Sequence, residues 1–396
     1  MGILFFHYST FWFTMNLKFV YTGLYVAFHR VSTVAISAFC HPFFMCIGAV
    51  IKKKSYFCVI NHVIRLSNLC RPYKDCMKAF LYYLSLPFLF VLNKLPFCVL
   101  YLFSDIIYYL VYYVVRYRRH IVRDNLVKSF PEKELGEIKK IEKRCYASLC
   151  DFFVEIIKLY GMSEKNIRKR MVITGVDEMN RRLQEGHSCV CYMGHFFNWE
   201  YTTSLSLYFN DKDVVVGDIY HPLENRYYDL LMKKMRDQYG AESITMANTL
   251  RRIVQMVKEN KKYVIGFVAD QVPTWESINH WIDFFHRDTP VFTGTEKIAR
   301  RTSASLFFVK IKRVKRGYYT AHFELFADDA SKMEEFEPTN SYYQLLEKQI
   351  RENPELWLWT HNRWKRTRAG YEEHERQRAE RKKRLYGDAG QTSSQK

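Results

Sequence analysis

The segment Gly194-His195-Phe196-Phe197-Asn198-Trp199-Glu200 places an imidazole and a carboxylate with four residues between them in an apolar setting. Such a pair can take a proton from an alcohol: His195 acts as general base, and Glu200 fixes its tautomer and stabilises the imidazolium that forms. The spacing alone is weak, since 13 His and 41 acidic residues in a chain of 396 produce roughly one such pairing by chance. The elements around the pair must carry the inference.

Beyond Arg119 short apolar runs alternate with amphipathic stretches. Residues 132–160 read as helical, with an apolar stripe through Ile138, Ile141, Tyr146, Leu149, Phe153 and Ile156. Strands are expected over 188–193, 214–220, 263–269, 305–312 and 318–325, and helices over 176–185, 197–208, 224–238, 247–259 and 295–302. These elements imply an α/β fold class, with a mainly parallel sheet flanked by helices.

In such sheets the ligand crevice lies outside the carboxyl ends of the strands. Polar residues stand at several of those exits: Gly194-His195, Tyr220-His221-Pro222 and Asp270-Gln271. Gly194 lacks a Cβ and permits a tight turn or a close approach. Glu200 falls in the first turns of the next helix, where the dipole favours a carboxylate. Phe196, Phe197 and Trp199 suit an acyl chain and equally suit a packed aromatic cluster.

The first part of the chain is different. Aromatic residues make up 17% of the sequence and many of the 30 Phe and 29 Tyr crowd there. Residues 1–76 form an atypical extension whose only acidic residue is Asp75. It reads either as a membrane-embedded leader, with Val31–Ile51 long enough to span, or as an upstream extension of a chain that starts at Met77. Residues 77–119 are expected to be a membrane anchor: Leu95–Val115 can cross a bilayer or lie in its interface, and Arg116-Tyr117-Arg118-Arg119 places the remainder of the chain on the cytoplasmic side. Asp105 in its middle needs a partner or an interfacial depth, which argues for a partly embedded helix over a true span. Residues 120–368 form the catalytic domain, and 369–396 a charged, partly disordered tail.

The net charge of +19 calls for an anionic partner. No zinc finger, RRM signature or helix-turn-helix is present, so nucleic acid is not expected and a membrane is. The ten cysteines form no C-x2-C pair and read as reduced thiols. No metal-ligand spacing occurs, so neither a metal nor another cofactor is expected. No G-x-S-x-G elbow occurs, which weighs against a serine hydrolase.

The run Gly194–Glu200 resembles the G-H-x-G-N-W-E block of bacterial lipid A biosynthesis acyltransferases, the late acyltransferases of the lysophospholipid acyltransferase superfamily. Tyr117-Arg118-Arg119 with Asn125-Leu126 and Ser129-Phe130-Pro131, Ala269-Asp270-Gln271, and Asn353 to Lys365 are similar to further blocks of that family, over roughly Met77 to Arg368. The resemblance implies transfer of a fatty acyl group from acyl carrier protein to a hydroxyl of a lipid A precursor at the cytoplasmic face of the inner membrane. His195 and Glu200 would be catalytic, and Asn198, His221, Arg226, Asp270, Gln271 and Arg363 would bind substrate. Arg300, Arg301 and Lys365 are further cations for the acidic carrier protein or the phosphates. Two positions depart from the pattern: Phe197 replaces a Gly, and His221 replaces the Arg of Y-R-P, leaving Arg226 or another cation to hold the anion. Other readings of the same residues are a glycerophospholipid or other glycolipid acyltransferase, a membrane thioesterase that activates water, and a lipid-binding protein with a degenerate site.

Overall fold

A computed structural model describes residues 56–209, 211 and 213–386. The expected span Val31–Ile51 lies outside the described residues. The described part opens with helices α1 (Tyr56–Lys94), α2 (Phe97–Tyr109, continued by a π turn over Leu110–Val114), α3 (Arg119–Ser129), α4 (Leu135–Leu159) and α5 (Glu164–Arg170). Next come β1 (Met171–Thr174), α6 (Val176–Gln184), β2 (Cys189–Met193), a 3-10 helix Trp199–Tyr208, β3 (Val214–Tyr220), α7 (Arg226–Asp237), β4 (Glu242–Thr245), α8 (Thr249–Lys258) and β5 (Lys262–Val268). The last part comprises β6 (His280–Asp283), β7 (Asp288–Val291), α9 (Gly294–Arg301), β8 (Ser305–Lys315), β9 (Tyr318–Ala327), α10 (Glu337–Glu352) and α11 (Arg368–Tyr386).

Seven strands form one sheet in the order β1-β9-β8-β2-β5-β3-β4, and β6 and β7 form a separate antiparallel ribbon. All pairings in the large sheet are parallel except β8 with β9, which run antiparallel around Arg316-Gly317. This is the α/β architecture expected from the alternation of apolar runs and helices. The central strand β2 is buried at every residue, as a parallel strand covered on both faces requires. Cys189 and Cys191 are free and buried within it. The strands absent from the sequence reading, β1, β4, β6 and β7, are four residues each, and none presents an apolar run longer than three residues.

The chain divides into two compact units, one running to Val91 and including His221–Lys234, the other made of Leu92–Tyr220 and Met235 onward. In the first, Tyr82 stacks on Tyr227 with ring centroids 5.5 Å apart, and Ser85 and Tyr228 share a hydroxyl hydrogen bond of 2.7 Å. The second holds the sheet. Two stretches, Asp75–Lys94 and Phe97–Val114, are long and apolar enough to cross a membrane by length and composition.

Candidate active site

Parallel pairing of β2 with β5 sets Met193 opposite Val268. Two residues beyond each of these lie His195 and Asp270, so the register alone brings an imidazole beside a carboxylate. His195 Nδ1 lies 2.5 Å from Asp270 Oδ1, and the His195 backbone N–H donates to Oδ2 at 2.8 Å. The indole N–H of Trp357 donates to the same Oδ2 at 2.7 Å. Asp270 is buried, which pushes its carboxyl up. The imidazole beside it, with the hydrogen bonds from His195 and Trp357, outweighs burial and holds it at about 2.

An ionised Asp270 fixes the proton of His195 on Nδ1 and leaves Nε2 unprotonated, with the lone pair a base needs. The amide nitrogen of Gln271 stands 3.2 Å from that Nε2. His195 is partly exposed, and Trp199 packs edge-on against its ring at 4.9 Å. Gly194 has a defined role: a Cβ there would stand 2.6 Å from Leu346 Cδ1 and 3.2 Å from Asp270 Oδ2. The close approach it permits is that of Leu346 and of the partner carboxylate of His195.

Glu200, the expected partner of His195, is instead paired with Arg236, whose Nε and Nη2 donate at 2.8 and 2.6 Å. It also accepts from the Trp199 indole at 3.2 Å. Both of its oxygens are therefore occupied. Burial lowers the Arg236 guanidinium, but the Glu200 carboxylate more than compensates and raises it above its ordinary range. Asn198 is fully buried: its Oδ1 caps the 3-10 helix by accepting from the Glu200 N–H at 3.1 Å, and its Nδ2 donates to Glu155 at 3.0 Å. Tyr319 and Tyr101 donate to Glu155 as well, at 3.0 Å each. Burial raises the Glu155 carboxyl to about 7, with Asp151 adding to the rise and these hydrogen bonds opposing it.

The aromatic residues of the motif form a packed cluster. Phe197, at the position where a Gly was expected, is buried and stacks on Trp199 at 5.6 Å, and Trp199 lies 4.2 Å from Phe152. The Trp-rich block at Asn353–Lys365 closes over them. Phe196 bridges to Trp357, and the Phe197 N–H donates to Leu356 O at 3.0 Å. Asn125 Nδ2 donates to the carbonyls of Trp359 and His361 at 3.2 Å each. Tyr342 and Tyr343 of α10 donate to Met193 O and Ala269 O, at 2.9 and 3.0 Å, and so clasp the ends of both site strands. Arg363, expected to meet substrate, is fully buried and donates to Pro290 O at 2.8 Å and Tyr343 Oη at 3.1 Å. His361 accepts from the Val272 N–H at 3.2 Å; burial, with Arg363 nearby, lowers its pKa well below the ordinary range and keeps it neutral.

His221 and Arg226 belong to the other unit and are exposed there. His221 Nδ1 lies 3.0 Å from Pro222 O, and the Arg226 guanidinium lies 5.3 Å from the Tyr227 ring. Arg300 lies 3.9 Å from Glu296. Sequence reasoning missed the structural roles of Arg236, Glu155 and Trp357, and it assigned Asp270 to substrate. The signal for Asp270 was its place at a strand exit; what it lacked was the identity of the neighbouring strand.

Residues 72–366 match the family described as "Bacterial lipid A biosynthesis acyltransferase". The chain belongs to this family. Over 253 residues, 63% of this chain and 79% of the relative, it is 22% identical to the lipid A biosynthesis palmitoleoyltransferase of Escherichia coli (strain K12). It is similar at the same identity and coverage to the lipid A biosynthesis acyltransferase of Shigella flexneri. The protein is thus an acyltransferase, and its His195–Asp270 pair stands two residues beyond the ends of β2 and β5.

Two sets of substitutions separate the carboxylates. Asp270→Asn should lower kcat by roughly 10³-fold or more through loss of the correct tautomer, with modest change in melting temperature. Glu200→Gln removes the bidentate counter-ion of partly buried Arg236 and should cost about 3 kcal/mol of stability, read by urea unfolding. A kcat collapse in Glu200→Gln at unchanged stability, with Asp270→Asn active, would return the orienting role to Glu200. The folded Asp270 value lies below the ordinary one of about 3.9. Its stabilisation is therefore present above about pH 4 and lost as pH falls toward 2, a slope that Asp270→Asn should flatten. Gly194→Ala should displace Leu346 or Asp270 and reduce kcat more than KM, measured by steady-state kinetics.

Proposed function

We propose that this acyltransferase moves a fatty acyl group from the thioester of acyl carrier protein to a hydroxyl of a lipid A precursor, on the cytoplasmic side of the inner membrane. The observation that carries the mechanism is the His195 imidazole, whose Nδ1 is tied to buried Asp270 and whose Nε2 faces the amide of Gln271. His195 Nε2 takes the proton of the acceptor hydroxyl as its oxygen attacks the thioester carbonyl carbon. The tetrahedral intermediate collapses with breakage of the C–S bond, and the departing thiolate takes the proton back from the imidazolium. No acyl-enzyme is needed.

The developing oxyanion needs a donor, a contribution of a few kcal/mol in such reactions. The backbone N–H groups of His195, Phe196 and Phe197 already donate to Asp270, Gly194 O and Leu356 O. The Gln271 side chain, adjacent to the reacting nitrogen, is the donor we assign: it leaves Nε2 when the hydroxyl enters and turns to the oxyanion. The net charge of +19 fits an acidic carrier protein and a phosphorylated acceptor alike. Within this reading Asn198, Glu200 and Arg363 support the site, and Arg226 and the His221 side chain meet the anionic substrates.

His195→Ala, purified in membranes and supplied with acyl carrier protein thioester and lipid A precursor, should lose about 10²- to 10⁴-fold in acyl transfer. Unchanged transfer would sink the general-base assignment. Mass spectrometry of the products reads the class of reaction. An acylated lipid A precursor is expected; free fatty acid alone would make the protein a thioesterase, and acylated phospholipid alone would change the acceptor.

A further inference from the structure

We propose that α2 and the π turn that continues it lie flat in the head-group region of an anionic bilayer, with one face in lipid and the other fixed to the catalytic unit. This concerns how the protein meets the membrane and does not depend on which hydroxyl is acylated. Length and hydropathy alone would allow Phe97–Val114 to cross the bilayer. Its two faces argue otherwise.

One face is packed against α4 along the length of the segment. Leu100 is fully buried with Val154, Tyr101 donates to Glu155 at 3.0 Å, and Ser104 donates to Asp151 at 2.7 Å. Farther along, Tyr112 packs edge-on against Tyr146 at 5.2 Å. Asp105 lies within 2.6 Å of Arg316, which lies equally close to Asp151. Arg316 sits at the tip of the β8–β9 hairpin, so the mid-segment carboxylate is matched by a cation of the sheet. A segment that crossed the bilayer upright would carry Asp151, Glu155 and Arg316 with it to hydrocarbon depth, where ionised groups are costly.

The opposite face is apolar and is left exposed by the described residues. Leu102, Ile106, Tyr109 and Tyr113 recur at helical spacing and are exposed by 61, 49, 61 and 44%. Tyr109 and Tyr113 stack at 5.7 Å. Tyrosines favour the head-group level over the bilayer centre, and exposed Lys94 and Arg116 bracket the stripe at its two ends. Cations at both ends suit a segment parallel to an anionic surface. A second copy of this chain is a poorer occupant, because each brings a net charge of +19.

The test uses the full-length protein in vesicles of phosphatidylethanolamine and phosphatidylglycerol. Nitroxide labels are placed one at a time on cysteines replacing Leu102, Ile106, Tyr109 and Tyr113, with other accessible cysteines changed to serine. Label depth is read from collision with oxygen against a water-soluble nickel chelate. The expected result is four shallow depths within about 5 Å of one another, near the head-group boundary. A steady change of about 16 Å from Leu102 to Tyr113, the rise of a helix over that distance, means a span and overturns the proposal. Labels that stay aqueous, or that are shielded from both reagents by another part of the chain or a second copy, overturn it as well.

Discussion

The site depends on one buried carboxylate being fully satisfied. Asp270 is out of solvent, and an ionised group there is tolerated only with donors on both oxygens. His195 supplies two of them, ring and backbone, and Trp357 the third. Each donor imposes a condition elsewhere. The His195 contacts require the β2–β5 register, and the approach of the carboxylate requires glycine at position 194. The Trp357 contact requires the C-terminal block to return across the strand ends, where Asn125 and the N–H of Phe197 hold it. Distant parts of the sequence meet here because the charge needs them.

Other buried carboxylates near the motif show how partners decide what a group does. Glu200 faces a guanidinium that occupies both oxygens, which makes it a structural ion pair tying the motif helix to the end of α7. Glu155 is met by an amide and two phenols, none of them charged, and its carboxyl rises to about 7 while that of Asp270 is held at about 2. The same functional group thus serves as an orienting anion, as an ion-pair anchor and as a hydrogen-bond hub. Asn198 joins the last two, since one side of its amide holds Glu155 and the other caps the turn that begins Glu200.

Much of this was legible in the chain. Buried strands announce themselves as short apolar runs, and the helices between them by their stripes, so the α/β class and the polar exits at His195 and Asp270 followed from periodicity. What periodicity does not contain is which strands are neighbours. In chain order β3 follows β2, yet β5 is inserted between them, and that insertion sets Asp270 beside His195. Spacing misled in a related way at Glu200: four intervening residues would allow a return to the imidazole, but Arg236, more than thirty positions away, reaches it first. Arg236 itself looks like any surface cation until α7 is folded against the motif. Arg363 has the same ambiguity in sequence; in the fold it is buried and donates to Tyr343 Oη.

Helix α4 links the chemistry to the apolar segment at the start of the catalytic unit. Asp151 and Glu155 are one turn apart, about 6 Å along the axis. Asp151 holds Ser104 and the Arg316 that matches Asp105, while Glu155 holds both Tyr101 and Asn198 of the catalytic loop. A single rigid helix therefore touches the apolar segment on one side and the loop of the base on the other. Groups that meet reacting atoms tolerate an error of only about 1 Å, so the elements that hold them have to be fixed. Hydrogen bonds from neighbouring positions of one helix to both partners meet that requirement without any moving part.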